Sequence, residues 1–347
     1  MEICSLNCMK PSVAVVILNW NGKSLLEKFL PSVVESEYSN LQIIVGDNDS
    51  TDDSVKFLSE KYPQVTLIKN DKNYGFAGGY NKILTFVEAD YFILLNSDVQ
   101  VPKNWIDPVI KLMESDDRIA VAQPKIKWYT QKNQFEYAGA AGGFIDNYAY
   151  PFCRGRIFDT VEQDENQYNM ATDIFWASGA SFFIKSSAWK AANGLDADLF
   201  AHMEEIDLCW RLKNLGYRIV YCPDATVYHL GGGTLNATNP FKTYLNFRNN
   251  LIIMQKNLPI VEVYYRLFIR IGIDFLAWLK FMFTGKAKFS LAITKAYIHF
   301  LLDLNKTAGK RGTNQIPLSK LTGIYDGSIV WAYFIKRIKK FSNLKWN

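Results

Sequence analysis

A chain of 347 residues that is 49% apolar, 21% charged and 15% aromatic excludes a disordered tract, a collagen-like repeat and a disulfide-stapled miniprotein. Its length suits two units, or one large α/β domain with an extension. The net charge of +5 hides an asymmetry: from Lys280 onward 13 basic residues face two acidic ones, whereas the preceding 279 residues carry 26 basic and 32 acidic groups. A basic, aromatic tail of this kind can meet a nucleic acid or an anionic membrane, and its apolar content favours the membrane.

Residues 1–12 read as an N-terminal extension, because Met1–Lys10 has neither a basic nor an apolar segment of secretory type. The next hundred residues alternate strand and helix. Val13–Leu18 is a β-branched run of the kind buried on both faces, and helical spacing follows from Gly22 to Val34. Leu41–Val45, Val65–Ile68 and Tyr91–Leu95 read as further strands, with helices over Val55–Tyr62 and Phe76–Val87 between them. This order predicts an α/β fold with an open, mostly parallel sheet flanked by helices.

In the middle of the chain, Ala138–Gly143 and Asp159–Asn169 read as loops and Trp176–Ile184 as a strand. Glu204–Leu215 reads as a helix closed by Gly216, followed by short strands at Tyr217–Tyr221 and Thr226–His229. From Phe241 the chain is helical. Ile260–Phe283 is apolar but interrupted by Glu262, Arg266, Arg270, Asp274 and Lys280, which predicts an interfacial rather than a spanning helix. The five cysteines form no Cys-x-x-Cys pair, so a reducing compartment fits.

Ligands of such sheets bind beyond the carboxyl ends of the strands. Those ends carry Asn19-Trp20-Asn21-Gly22, then Asp47 to Asp52, then Asn73 to Gly79, then Asn96-Ser97-Asp98. Asp47 can accept from a nucleotide's base or ribose, while Ser50, Thr51 and Asp52 also suit a helix start. Asp98 is placed to meet a divalent cation, or simply to start a turn. Glu204, Glu205 and Asp207 crowd one helix N-terminus, where the macrodipole accounts for one acid more comfortably than for three; a carboxylate there can act as a base toward a hydroxyl. His229, at a strand end before Gly231-Gly232-Gly233, is a metal ligand or a structural histidine. Neither a P-loop nor a dinucleotide fingerprint is present.

Together VILNWNG, VGDNDSTDDS, NYGFAGGYN, FILLNSD, WASGASFFI and the run from Leu199 to Gly233 resemble family 2 glycosyltransferases, on the rhamnosyltransferase-like, polysaccharide-building branch. The resemblance covers about Val13 to Leu251. It implies a GT-A fold and inverting sugar transfer from a nucleotide-diphosphate donor with Mg2+ or Mn2+, onto a glycan or lipid-linked glycan. It places Asn19, Asp47, Asn73, Gly75, Gly78, Asn96, Asp98 and Arg248 around the nucleotide-sugar and makes Asp98 and His229 metal ligands. It sets Trp176, Ser178, Gly179 and Glu204 at the acceptor, and names Glu205 as the catalytic base with Asp207 as the alternative.

The same reading divides the chain into a 13–256 catalytic domain and a basic, aromatic 257–347 region that meets the membrane surface or the acceptor. It locates the protein in the cytoplasm, peripheral on the inner face of the plasma membrane, with no nucleic-acid partner. A scaffold protein of the same fold without efficient catalysis is the alternative. A sugar nucleotidyltransferase is disfavoured because NWNGKS lacks that class's glycine-rich, arginine-containing loop.

Overall fold

The computed structural model describes residues 10–231 and 239–346. Strands β1 (Val13–Asn19), β2 (Leu41–Asp47), β3 (Thr66–Lys69) and β4 (Tyr91–Leu95) lie parallel in the order β3-β2-β1-β4. They are joined by α1 (Lys23–Val34), α2 (Ser54–Lys61) and α3 (Gly75–Leu84), close to the predicted ranges. Alternate residues of the central strands feed two cores. Val13, Val15, Ile17, Ile93 and Leu95 join Leu26, Leu30 and Val33 of α1 in one core. Ala14, Val16, Phe92 and Leu94 join Ala77, Tyr80 and Ile83 of α3 in the other. Burial on both faces is why these strands read as unbroken apolar runs.

Beyond β4 the sheet becomes mixed. After β5 (Val99–Gln100), α4 (Ile106–Glu114) and β6 (Ile119–Trp128), strand β12 (Ser181–Lys185) inserts antiparallel between β4 and β6. Strand β13 (Arg218–His229) runs parallel to β6, with β11 (Thr172–Asp173) outside it. The two strands expected around 217–229 are thus one strand, with an irregularity between Cys222 and Thr226. Of the expected Trp176–Ile184 strand, the part from Ser181 is a strand, while Trp176 makes an isolated bridge to Gly143. Helices α5 (Ser186–Ala191) and α6 (Glu204–Asn214) follow the sheet strands, and Gly216 ends α6 at φ +88° as expected.

A second sheet lies mainly between the two stretches read as loops, which stay largely irregular: only Gly143 of the first and Thr160–Val161 of the second are in strands. Strands β7 (Gly143–Asp146), β8 (Pro151–Cys153), β9 (Arg156–Ile157) and β10 (Thr160–Val161) form an antiparallel meander, and β14 (Ile324–Tyr325) pairs in parallel with β7. Helices α7 (Pro240–Asn257), α8 (Ile260–Phe283), α9 (Ala287–Leu302), α10 (Leu304–Ala308) and α11 (Ile329–Phe334) make up the C-terminal part. The chain then returns to the second sheet, where the Phe341 ring lies 4.9 Å from that of Phe144. The boundary expected after residue 256 therefore does not separate two independently packed units.

Among the described residues, no helix is long and apolar enough to cross a membrane. Cys153, Cys209 and Cys222 are buried free thiols. Cys4, Cys8, Gly232 and Gly233 lie outside the described residues.

Candidate active site

The tips of β1, β2 and β4 adjoin. Asn19, the last residue of β1, donates from Nδ2 to Asp47 Oδ1 at the end of β2 (3.0 Å) and to Ser50 Oγ (3.1 Å). The other oxygen of Asp47 accepts from the Ser50 backbone N–H (3.0 Å). Asp47 is therefore a buried acceptor that shapes its own loop, while the Asn19 Oδ1 atom has no partner among the described residues. Asp52 accepts from the Lys23 and Ser54 backbone N–H groups at 3.0 and 3.1 Å, so it joins the first turns of α1 and α2. A Cβ at Gly22 would stand 2.5 Å from Asn19 Oδ1 and 3.9 Å from Ser97 Oγ, which puts the β1 and β4 tips side by side.

Asp98 and His229 meet because β5 pairs antiparallel with the end of β13, setting Val99 opposite His229. Asp98 Oδ1 lies 3.0 Å from His229 Nε2, and His229 Nδ1 lies 3.3 Å from Glu136 Oε1. All three side chains are buried. Burial opposes a charge on His229, but Glu136 and Asp98 outweigh it and raise the imidazole to about 10. Burial likewise opposes charge on Asp98, yet contact with His229 holds its carboxyl below the ordinary range. Glu136 was not singled out in the sequence. It lies in a segment without periodic pattern, and contacts distant in sequence fix its direction: the Lys127–Phe135 bridge, the Glu136 N–H donating to the Ile126 carbonyl (3.1 Å) and the Phe135 N–H donating to the Glu162 carbonyl (3.1 Å).

The third part is the approach to α6. Phe200, His202 and Met203 all have φ between 65° and 75°, a left-handed conformation that costs non-glycine residues energy and persists only where surroundings impose it. Asn249 of α7 imposes it here: its Nδ2 donates to the carbonyls of Leu199, Ala201 and His202 at 2.8, 3.0 and 2.8 Å. Arg248 donates to the Asp198 carbonyl, so it braces the same loop. On the other side, Gly75 opens α3 at φ +70° and leaves room for the Phe200 ring, which a Cβ would approach to 3.2 Å.

The loop delivers Glu204 and Glu205 to the start of α6, Glu204 buried and Glu205 half-buried. Burial, and next the charge of Glu205, push Glu204 well above the ordinary carboxyl range. Burial raises Glu205 to about 7, restrained by backbone N–H groups including that of Gly179. One oxygen of each has no hydrogen-bond partner among the described residues. Neighbouring His202 is lowered to about 4 by burial and by Lys242, and so is neutral.

One segment connects the two charged groups. Ala180 accepts at its carbonyl from the Asn96 N–H (3.1 Å), beside Asp98, while the adjacent Gly179 N–H faces Glu205. Ser178 is fixed beneath them, its N–H donating to Gln123 Oε1 (2.8 Å). Asn19, Asp47, Asn96, Asp98, His229, Gly179, Glu204 and Glu205 thus form one contiguous region.

Other candidates stand apart from it. Asp207 is fully buried on the far side of α6, where it binds Arg211 (2.8 Å), Lys256 (2.9 Å) and Asn257 (2.9 Å); burial opposes its charge, but these cations hold it below its usual range. This engagement corrects its reading as an alternative base. Trp176 is a core residue whose Nε1 donates to the Phe144 carbonyl (3.0 Å). A Cβ at Gly143 would stand 2.2 Å from its ring, so its reading as an acceptor contact is corrected too. Asn73 uses its Oδ1 on Asn48 and on the Gly75 N–H, and Gly78 packs against Tyr74; both shape the α3 entrance.

Residues 14–184 match the family model described as glycosyl transferase family 2. Over 237 residues the chain is 25% identical to an N-acetylglucosaminyl-diphospho-decaprenol L-rhamnosyltransferase of Mycobacterium tuberculosis, covering 64% of this chain and 76% of that protein. It is 26% identical over 225 residues to the rhamnosyltransferase WbbL of Escherichia coli, covering 62% and 83%. In fold it is similar to a mannosyltransferase of Pyrobaculum calidifontis solved with GDP-Man and Mn2+, with a TM-score of 0.53, 13% identity, and 85% and 88% of the two chains covered. The mixed, mostly parallel sheet of GT-A type and the ordered motifs on its strand ends agree with this match to glycosyl transferase family 2 over residues 14–184 and with the likeness to rhamnosyltransferases.

Proposed function

We propose that this glycosyltransferase moves a sugar from a nucleotide-diphosphate donor to a hydroxyl of a lipid-linked glycan, with inversion at the anomeric carbon and with Mg2+ or Mn2+. The observation that carries this reading is the opposite tuning of two acids in one contiguous region: Asp98 is held ionised, whereas Glu205 is raised to about 7. Such a pair separates an electrostatic role from a proton-transfer role. The acceptor class rests on the relative from Mycobacterium tuberculosis, whose name specifies a sugar carried on a diphospho-lipid.

The donor set fits a hard divalent cation. Asp98 Oδ1 and His229 Nε2, which face each other at 3.0 Å, are oxygen and imidazole donors that could both turn to such an ion. Glu136, on the far ring nitrogen, supplies the carboxylate that commonly orients a metal-binding histidine. Among the described residues no group of three His, Cys, Asp or Glu side chains is arranged to hold a metal ion. Asp98 and His229 would hold it, and its chemistry would be to neutralise charge on the departing diphosphate.

The remaining work belongs to the chain. Asn19 and Asp47 orient the nucleoside. Glu205 accepts the proton of the attacking hydroxyl as its oxygen bonds to the anomeric carbon and the bond to the diphosphate breaks on the opposite side. Glu204, whose charge burial and the neighbouring Glu205 disfavour, stands beside it facing the acceptor. Asn249 and Arg248 hold the strained loop that aims both acids, and ~1 Å of misplacement there can cost ~10²-fold in rate. The protein works in the cytoplasm, peripheral on the inner face of the plasma membrane, where its acceptor resides.

Thermal shift with UDP, dTDP and GDP, each with and without Mn2+, tests the reading. One nucleotide should raise the melting temperature only in the presence of the cation, and Asp98→Asn should abolish that increment. If no nucleotide stabilises the protein under either condition, the proposal fails.

A further inference from the structure

The five charges that interrupt the apolar run of α8 lie mainly on the wrong side for a helix on a water-soluble surface. Arg266, Arg270 and Asp274, spaced four apart, all point into the protein. Arg270 and Asp274 are each 1% exposed. Arg270 donates to the Tyr148 carbonyl (2.9 Å) and to Asp274 (3.2 Å), which also accepts from Tyr297 (2.7 Å) and Tyr150. The outward face is apolar: Val261, Tyr264, Phe268, Ile271, Phe275, Leu276 and Phe283 are all exposed, Phe268 by 78% and Phe283 by 83%. A helix that faces water normally puts its charges outward. This one is inverted, with its charges neutralised inside and its apolar stripe unpartnered.

The surroundings indicate what covers it. Helix α9 packs against α8, with Trp278 Nε1 donating to Thr294 (3.1 Å) and the Phe281 and Phe289 rings stacked at 5.2 Å. It adds exposed Leu291, Ile298, Leu301 and Leu302. Lys280, at the end of α8, lies 4.6 Å from the Phe334 ring of α11, whose exposed Trp331 and Ile335 precede the run Lys336-Arg337-Ile338-Lys339-Lys340. Apolar stripes accompanied by a surplus of basic residues complement an anionic bilayer surface, which presents a hydrocarbon boundary and negative headgroups together.

We infer that the outward stripe of α8, with the adjoining residues of α9 and α11, inserts into the hydrocarbon boundary of an anionic membrane and sets the orientation in which the enzyme meets its lipid-linked acceptor. This inference rests on the proposed lipid-linked acceptor for its purpose, but not for its physics. The inward charges anchor α8 to the body through Tyr150 and Asn250, so the helix docks as a rigid face and not as a detachable arm.

Flotation of the full chain with phosphatidylcholine vesicles, with and without phosphatidylglycerol, tests it. The wild type should float with the anionic vesicles, and Phe268→Ser combined with Leu276→Ser should lower recovery about tenfold or more, while circular dichroism and melting temperature stay unchanged. Some wild-type binding should survive ~1 M salt, where charge is screened to ~3 Å. In the unaltered protein, brominated acyl chains should quench tryptophan emission, a readout that needs no variant to fold.

Equal flotation of the double variant, absence of quenching, or a salt-insensitive dimer that the double variant converts to monomer would overturn the inference. Hydrolysis of the donor by the double variant should match that of the wild type. Loss of flotation with retained hydrolysis thus concerns the membrane face alone, whereas absence of hydrolysis in both proteins counts against the proposed transfer reaction.

Discussion

Two acids two residues apart on α6 have opposite fates, and substitution should separate them. Glu205 is half-buried with one oxygen enclosed and unpartnered among the described residues, so its charge destabilises the fold. Because its folded value lies above the ordinary 4.5, the stability it costs is absent at low pH and grows as pH rises from about 4.5 through about 7. Glu205→Gln should therefore melt no lower than the wild type at neutral pH while losing nearly all transfer. Wild-type turnover by that variant would remove Glu205 from its role. The wild-type rate should fall on the acid side of a limb near pH 7, read from kcat/KM against pH. Asp207→Asn should do the reverse of Glu205→Gln: removing one partner of a buried pair costs ~3–5 kcal/mol, visible as a lower denaturant midpoint. At the cation pair, Glu136→Gln should weaken Mn2+ affinity ~10–100-fold by calorimetry, as loss of a carboxylate behind a histidine ligand does, without lowering nucleotide binding in the absence of metal. Asp98 and His229 were legible in the sequence because one follows an apolar strand and the other ends one. Glu136 was not, since nothing local marks which side of its loop faces β13.

At the scale of elements, what the sequence disclosed depended on how each element is stabilised. Strands β1, β2 and β4 are buried between helices and announce themselves by continuous apolar runs. The strands of the second sheet are two to four residues long, too short for a period, and are held by aromatic contacts and by a partner strand some 180 positions away. In α8 the charges were legible but not their direction, because an inverted helix has the same periodicity as an ordinary one. The loop before α6 read only as irregular; its strain becomes intelligible once Asn249 is seen to collect three carbonyls. Replacing Asn249 with Ala leaves those carbonyls without their donor, at ~1–3 kcal/mol for an unsatisfied buried group, and frees Phe200 to Met203 to leave the left-handed region. The expected outcome is a fall of at least ~10²-fold in kcat with donor KM changed far less, and recovery is not expected with Asp, which cannot donate. A KM defect equal to the kcat defect would place Asn249 in donor binding instead.

For the whole molecule, the question is whether the C-terminal third is an appendage or part of the fold. Its middle carries the proposed membrane face, but its end is structural. Tyr325 extends the second sheet, Ile329, Ala332 and Tyr333 pack into the core, and Phe341 fills the space between Phe144, Phe152 and Tyr168. Full burial of a large apolar side chain contributes ~1.5–3 kcal/mol, so Ile329, Tyr333, Phe341 and Leu344 together approach the ~5–15 kcal/mol that stabilises a typical domain. Ending the chain at residue 323 would also leave the outer edge of β7 unpaired and Asp146 without the Ile329 N–H that it accepts from at 2.8 Å. Asp146 is fully buried and raised to about 6 by that burial, with backbone donors opposing the rise. Such a truncated chain should lack a cooperative thermal transition and remain in the insoluble fraction, whereas Phe268→Ser with Leu276→Ser should melt as the wild type does. A soluble 1–323 chain with an unchanged melting temperature would mean that the second sheet holds without its fifth strand, and that the strap from 324 to 346 serves the membrane face alone.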